Sequence, residues 1–87
     1  MKYVYAAIFT SNSDGSYTIT FPDLPGCISE GKNLYDALEW AESALKEWLE
    51  YLIDKNKEIP KASAYMEIHP EEGQFVSMIK AEIVKVA

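Results

Sequence analysis

The amino-terminal third of the chain alternates in the two-residue rhythm of β-strands. Residues 2 to 10 are rich in aromatic and β-branched side chains, and both faces that the alternation creates are apolar. Such a strand is predicted to lie in the centre of a sheet or to be covered on both sides. Residues 16 to 21 alternate more cleanly, with Tyr17, Ile19 and Phe21 on one face. Because an Asp-Gly pair precedes them, the two segments are predicted to form an antiparallel hairpin.

A dense turn separates these strands from the rest of the chain. Residues 21 to 31 place two prolines and two glycines among apolar side chains. Proline fixes φ and glycine permits positive φ, so the stretch is predicted to be a shaped turn rather than a flexible linker. Residues 27 to 29 are long enough for a short third strand, and residues 30 to 32 are predicted to turn the chain again.

One long amphipathic helix is predicted from Leu34 to about Asp54. Asn33 is a favourable N-cap, Asp36 suits the positive end of the helix dipole, and no Gly or Pro interrupts the segment. Its apolar residues recur at steps of three and four and form one stripe. The stripe comprises Leu34, Ala37, Leu38, Ala41, Leu45, Trp48, Leu49 and Leu52.

A second apolar set, Trp40, Ala44 and Tyr51, widens this stripe on its flank. A small two-layer domain has enough sheet to cover one stripe. Two interpretations of the flank therefore stay open: it contacts another subunit or a partner, or Trp40 and Tyr51 lie over the edge of the sheet.

The last third of the chain is predicted to return to the sheet. Residues 64 to 69 are predicted as a short strand or extended edge, and residues 70 to 73 as a turn. Residues 74 to 86 are predicted as a strand, with apolar side chains on both faces. The order β-β-β-α-(β)-β indicates an α+β two-layer sandwich, a mostly antiparallel sheet with one long helix across a face.

Composition narrows the range of functions. The chain has 87 residues, which favours one domain, and eight Lys and Arg against fourteen Asp and Glu give a net charge of -6. This acidity disfavours direct nucleic-acid binding and suits a basic protein partner. With one cysteine, no signal-peptide pattern and no apolar run long enough to cross a membrane, the protein is expected in a reducing cytoplasm.

Candidate catalytic residues are few. A nuclease of the RNase H type needs a carboxylate in the middle of the first strand, where this chain has Ala6, Ala7 and Ile8. His69 is the only histidine, and Cys27 has neither a His nor a Cys partner, so a small buried residue is the favoured interpretation of Cys27. The chain is therefore expected to be no enzyme and to carry no catalytic, metal-binding or cofactor-binding residue.

The run from residue 17 to residue 27 ends a strand in F-P-D-L-P-G-C, and an E-G turn and a helix opening N-L-Y-D-A-L follow it. This arrangement resembles the HicB antitoxin family over residues 1 to about 63, and more loosely in the last strand. An I-P pair after the helix is similar to the family's I-P-x-P element, with Ala62 in place of the second proline.

The resemblance implies a partial RNase H-like fold and a role in binding and blocking HicA, a small basic toxin that cleaves mRNA. Many family members add a C-terminal DNA-binding domain. Here a single HicB-like domain over residues 1–87 is expected, without that addition. The alternative is a self-associating module of the same fold with no toxin, and a remnant nuclease ranks lowest.

Candidate partner-binding residues are Asp23, Leu24, Trp40 and Tyr51. Two roles compete for Asp23, an acidic contact to a basic toxin and an Asx-type turn in which its carboxylate accepts backbone N–H groups between the two prolines. The structural role is favoured, since the turn has fewer free N–H donors but its remaining N–H groups still need acceptors. A homo-oligomer is expected, through edge-strand pairing or helix packing.

Overall fold

The computed structural model describes residues 1–84 as a four-stranded antiparallel sheet with one long helix on one face. The elements in chain order are β1 (Lys2–Ser11), β2 (Tyr17–Thr20), β3 (Ile28–Gly31), α1 (Leu34–Asp54), a 3-10 turn (Tyr65–Glu67) and β4 (Gln74–Glu82). The α+β class and the predicted order of the main elements are confirmed.

The strands are arranged in the order β3-β2-β1-β4, so β1 is central as predicted. Its partner β4 pairs with it along almost its whole length, from Lys2 opposite Glu82 to Thr10 opposite Gln74. The hairpin partner β2 pairs only with the second half of β1. The stack of Phe9 on Phe75, with ring centroids 4.8 Å apart, adds a side-chain contact to the β1–β4 pair.

The core lies between the sheet and α1, and its members come from alternate positions of the strands and from one face of the helix. They include Tyr5, Ala7, Phe9, Ile19, Phe21, Leu24, Cys27, Ala37, Ala41, Leu45, Leu49, Leu52, Ile79, Ala81 and Ile83. On the other face of the sheet Val4 is 47% and Met78 is 40% exposed. The apolar character of β1 on both sides thus reflects its central position, since only one face is covered by a helix.

Local hydrogen bonds at both ends fix the length of α1. The Asn33 Oδ1 atom accepts the Asp36 N–H at 2.9 Å, and the Asp36 carboxylate accepts the Lys32 N–H at 2.9 Å. At the other end Asn56 adopts a φ of 55°, and the Lys57 N–H reaches back to the Leu52 carbonyl at 2.8 Å. The predicted bounds of the helix are confirmed.

Two local predictions are wrong. Residues 64 to 69 form no strand; Tyr65–Glu67 form a 3-10 turn instead, because the Glu67 carboxylate accepts the Ala64 N–H at 2.7 Å and closes the backbone locally. Residues 30 and 31, predicted as a turn, complete β3 by pairing with β2. The last strand ends at Glu82, and the end of its predicted span, 85 to 86, lies outside the described residues.

Candidate partner-binding surface

The F-P-D-L-P-G-C segment forms two consecutive β-turns. The Leu24 N–H donates to the Phe21 carbonyl at 3.0 Å, and the Cys27 N–H donates to the Leu24 carbonyl at 2.9 Å. Each turn has a proline at its second position, and Gly26 supplies a φ of 99° at the third position of the second turn. Since the residues at the turn ends are buried, the turn is anchored in the core by three side chains: Phe21, Leu24 and Cys27.

Asp23 fastens this turn to a distant part of the chain. Its two carboxylate oxygens accept the Ser63 N–H and the Ser63 hydroxyl, each at 2.7 Å, across 40 positions of sequence. A backbone N–H is among the donors, as expected, but the expectation that it lies inside the turn is wrong. Both oxygens of Asp23 are thus engaged within the chain.

Tyr5 lies beside the same junction. Its hydroxyl donates to the Pro60 carbonyl, which precedes Ser63 in the connector after α1. Burial raises the pKa of Tyr5, and the Asp23 carboxylate nearby adds to the effect. A phenol held neutral in this way contributes a hydrogen bond rather than acid–base chemistry, so the junction of turn and connector is structural.

The turn and β3 also pack closely against α1. A Cβ placed on Gly26 would lie 3.0 Å from the Trp48 ring, and the Cys27 thiol donates to the Ala44 carbonyl at 3.7 Å. Burial raises the pKa of Cys27 to about 11, so the group stays a thiol at neutral pH. The predicted role of Cys27 as a small buried residue agrees with this environment.

An exposed aromatic surface, here called the aromatic flank, follows α1 beside β3. It consists of Trp40, Ala44, Trp48 and Tyr51. Trp40 is 52% and Tyr51 is 44% exposed, while the Trp48 and Tyr51 rings lie 5.8 Å apart. Packing over the edge of the sheet therefore covers only part of the Trp40 and Tyr51 rings, and the rest stays exposed.

A shallow groove of about 400 Å³ runs between the aromatic flank and the start of β3. Its lining comprises Gly26, Cys27, Ile28, Ala44, Glu47, Trp48 and Tyr51. Ile28 is 62% exposed, and Glu47 is exposed and is the one charged residue in a lining that is otherwise mostly apolar. The groove can receive an apolar or aromatic side chain with a cation beside it.

The four candidate residues do not form one surface. Trp40 and Tyr51 share the exposed flank, whereas Leu24 is 1% exposed and belongs to the core. Asp23 is half-buried and bonded to Ser63. The sequence prediction did not include Ile28 or Glu47, although the helical spacing of Glu47 from Tyr51 was a usable signal.

No cluster of metal-ligating side chains is found among residues 1–84. They contain no group of three or more His, Cys, Asp or Glu residues that could hold a metal ion. His69 is exposed in the connector between the 3-10 turn and β4. Over the same residues, α1 is not apolar enough to span a membrane.

Comparison with known proteins places the fold and the turn in one family. Residues 5–87 match the family model described as "HicB_like antitoxin of bacterial toxin-antitoxin system". The chain belongs to this family. The resemblance carried by the F-P-D-L-P-G-C segment is thereby confirmed, and this HicB-like chain is an antitoxin by family.

Individual relatives and solved structures are similar to this chain over most of its length. The UPF0150 protein Ta0767 of Thermoplasma acidophilum is 37% identical over 60 residues, which cover 69% of this chain and 87% of the relative. The HicB-like chain is similar to a solved "Toxin-Antitoxin complex from Streptococcus pneumoniae", with a TM-score of 0.85, 19% identity and coverage of 94% and 70% of the two chains. It is also similar to a solved "HicA3 and HicB3 toxin-antitoxin complex", with a TM-score of 0.76, 20% identity and coverage of 93% and 100%. At these identities the two structures establish the shared fold.

Proposed function

We propose that this HicB-like chain neutralises a small basic toxin of the HicA type by binding it and covering its active site. The observation that carries the proposal is the family match over residues 5–87. Two solved structures with the same fold are toxin–antitoxin complexes, and one of them contains HicA3 and HicB3. The net charge of -6 supports a basic partner, because opposite charges steer association and raise its rate.

The aromatic flank and its groove are the proposed contact surface. Tryptophan and tyrosine are enriched among the residues that dominate binding energies, because they bury a large area at little cost in conformational entropy. Trp40 and Tyr51 are the two large rings of the flank that keep about half of their area exposed. Glu47 in the groove supplies a negative charge between them for a Lys or Arg of the toxin.

The remaining candidates support this surface from within. Leu24 is buried, and Asp23 holds the turn to the connector through Ser63. Both act on toxin binding through the shape of the turn, which forms one wall of the groove at Gly26 and Cys27. Neutralisation by contact needs no catalytic group, so in this proposal the chain acts as a stoichiometric inhibitor rather than an enzyme. The proposed compartment is the cytoplasm.

Binding to a small basic toxin of the HicA type tests the proposal. The two proteins, mixed and passed through a size-exclusion column, are expected to elute as one complex, and the chain is expected to restore growth arrested by the toxin. Absence of both a complex and growth rescue would overturn the proposed function.

Matched aromatic substitutions locate the surface. Trp40→Ala is expected to weaken toxin binding by about 30-fold or more, the effect of removing a dominant contact residue. The control is Tyr35→Ala, which removes a ring that is 76% exposed elsewhere on α1 and is expected to change affinity less than about threefold. Equal affinities for the two variants, measured by calorimetry, would place the toxin on another surface.

A further inference from the structure

The groove beside β3 combines two aromatic rings with one carboxylate. Trp48 and Tyr51 both line it, and their ring planes are inclined by 42° with centroids 5.8 Å apart. Glu47 is the one charged residue among those that line it. Because Glu47 and Tyr51 are four residues apart on α1, their side chains are neighbours on the helix surface. A ligand in the groove can therefore contact an aromatic ring and a carboxylate at the same time.

The Trp48 wall of the groove is held in place by the turn before β3. A Cβ on Gly26 would lie 3.0 Å from the Trp48 ring, so the ring packs directly on the glycine backbone. The bond from the Cys27 thiol to the Ala44 carbonyl joins the same turn to α1. A wall that is already ordered loses little conformational entropy when a ligand binds, which favours affinity.

The carboxylate of Glu47 is accessible to a ligand. Its side chain is exposed, and within residues 1–84 neither a hydrogen bond nor an ion pair engages it. Asp54 follows seven residues later, two turns along the same side of α1. None of the residues that line the groove is basic. The charge at the groove is thus negative, and the ligand that fits it is a cation.

Arginine matches this groove better than lysine does. Its guanidinium group is planar, so it can stack on an aromatic ring while its N–H groups pair with a carboxylate. It is also more weakly hydrated than an ammonium group and loses less on entering a mostly apolar groove. The lysine ammonium is a compact, strongly hydrated charge without a planar face, so it cannot make both contacts equally well.

We propose that the groove binds an arginine side chain of the toxin, with Glu47 paired to the guanidinium and the Tyr51 and Trp48 rings beside its plane. Ile28, which is 62% exposed at the groove, lies against the aliphatic part of the same side chain. This site rests on the proposed function, which supplies the toxin as the partner. It adds the type of residue that the toxin places in the groove.

Substitutions in the full chain test the role of the carboxylate. Glu47→Gln keeps the size of the side chain and removes its charge, and it is expected to weaken toxin binding about tenfold or more. The matched control is Glu42→Gln, which neutralises an exposed carboxylate of α1 outside the groove and is expected to change affinity less than about twofold. Calorimetry measures both affinities, and circular dichroism verifies that both variants are folded.

Arginine-to-lysine changes in the toxin, made one at a time, identify the occupant of the groove. One such variant is expected to bind the unaltered chain about tenfold more weakly, but to bind Glu47→Gln within about twofold of the unaltered toxin. This coupling is expected only of two residues in contact. Additive losses for every arginine would overturn the proposed site.

Two small probes separate this site from the proposed function. N-acetyl-arginine amide and N-acetyl-lysine amide are added to the chain alone, and NMR follows the indole N–H of Trp48. The arginine probe is expected to shift this resonance more than the lysine probe, and Glu47→Gln is expected to reduce the shift. Equal shifts from the two probes, or unchanged toxin binding in Glu47→Gln, would overturn the arginine site and leave the proposed function intact. A toxin that fails to bind the chain would overturn the proposed function, whereas the probes would still decide whether the groove takes arginine.

Discussion

The two edge strands of the sheet, β3 and β4, meet their surroundings in different ways. β3 has four residues, and the helix lies directly against it and the turn before it, with contacts at Gly26, Cys27 and Gly31. β4 has nine residues, and within residues 1–84 no strand pairs with its outer side. The comparison teaches that the two edges of one small sheet differ in support: the helix holds β3 in place, whereas pairing with β1 alone holds β4.

The largest expected effect comes from closing the space between β3 and α1. A Cβ on Gly31 would lie 2.3 Å from the Ala37 Cα and 2.4 Å from the Ala37 N. Both atoms are backbone, so the helix itself must move. Gly31→Ala is expected to lower the free energy of unfolding by about 3 kcal/mol or more, measured by urea denaturation.

The matched control for this variant lies on the other edge. Lys80→Ala removes an exposed side chain from β4 and is expected to change the free energy of unfolding of the monomer by less than about 0.5 kcal/mol. Similar losses for the two variants would remove the distinction between an edge that the helix holds and an edge that it does not.

Two glycines allow the cost of backbone strain to be measured apart from the cost of a clash with α1. Gly26 and Gly73 both have positive φ, 99° and 83°, but only at Gly26 would a Cβ meet a neighbour within 4 Å, the Trp48 ring. Each change to Ala is expected to cost about 1 to 2 kcal/mol of strain, with Gly26→Ala the more destabilising of the two. Thermal unfolding measures the stability of both variants. An equal loss of stability would show that the Trp48 ring moves aside at no cost.

The smallest expected effect is a pH dependence from Cys27. Its pKa is raised from 9.0 to about 11 in the folded chain, so folding favours the neutral thiol. This contribution to stability is complete below pH 9 and is lost as the pH rises towards 11. In Cys27→Ala, the free energy of unfolding measured by urea denaturation is expected to fall less steeply between pH 9 and pH 11. An unchanged pH profile would mean that the thiol is accessible to water.

The regular elements were predictable from the sequence because their signals are local. The alternation of β1, the three- and four-residue spacing of α1 and the N-cap at Asn33 each act within a few residues of the chain. Their bounds in the structure follow those signals. The same applies to the F-P-D-L-P-G-C turn, where Pro25 and Gly26 specify the backbone angles themselves.

What sequence reasoning missed depends on distant contacts. The partner of Asp23 lies 40 positions away at Ser63, and no short-range pattern announces it. The helical period places Trp40 and Tyr51 on one flank, but it does not say how far the sheet extends beneath them. That extent follows from the position of β3, whose final residues were predicted as a turn because Gly31 usually ends a strand.

The unequal surroundings of the two tryptophans have a practical consequence for spectroscopy. Trp48 packs against Gly26, whereas Trp40 keeps about half of its surface in water. Indole emission depends on its local solvent, so the two rings should fluoresce as distinct reporters within one helix. In Trp40→Phe only Trp48 remains, and its emission would report how the turn packs against α1. In Trp48→Phe only Trp40 remains, and its emission would report the binding of a toxin to the aromatic flank.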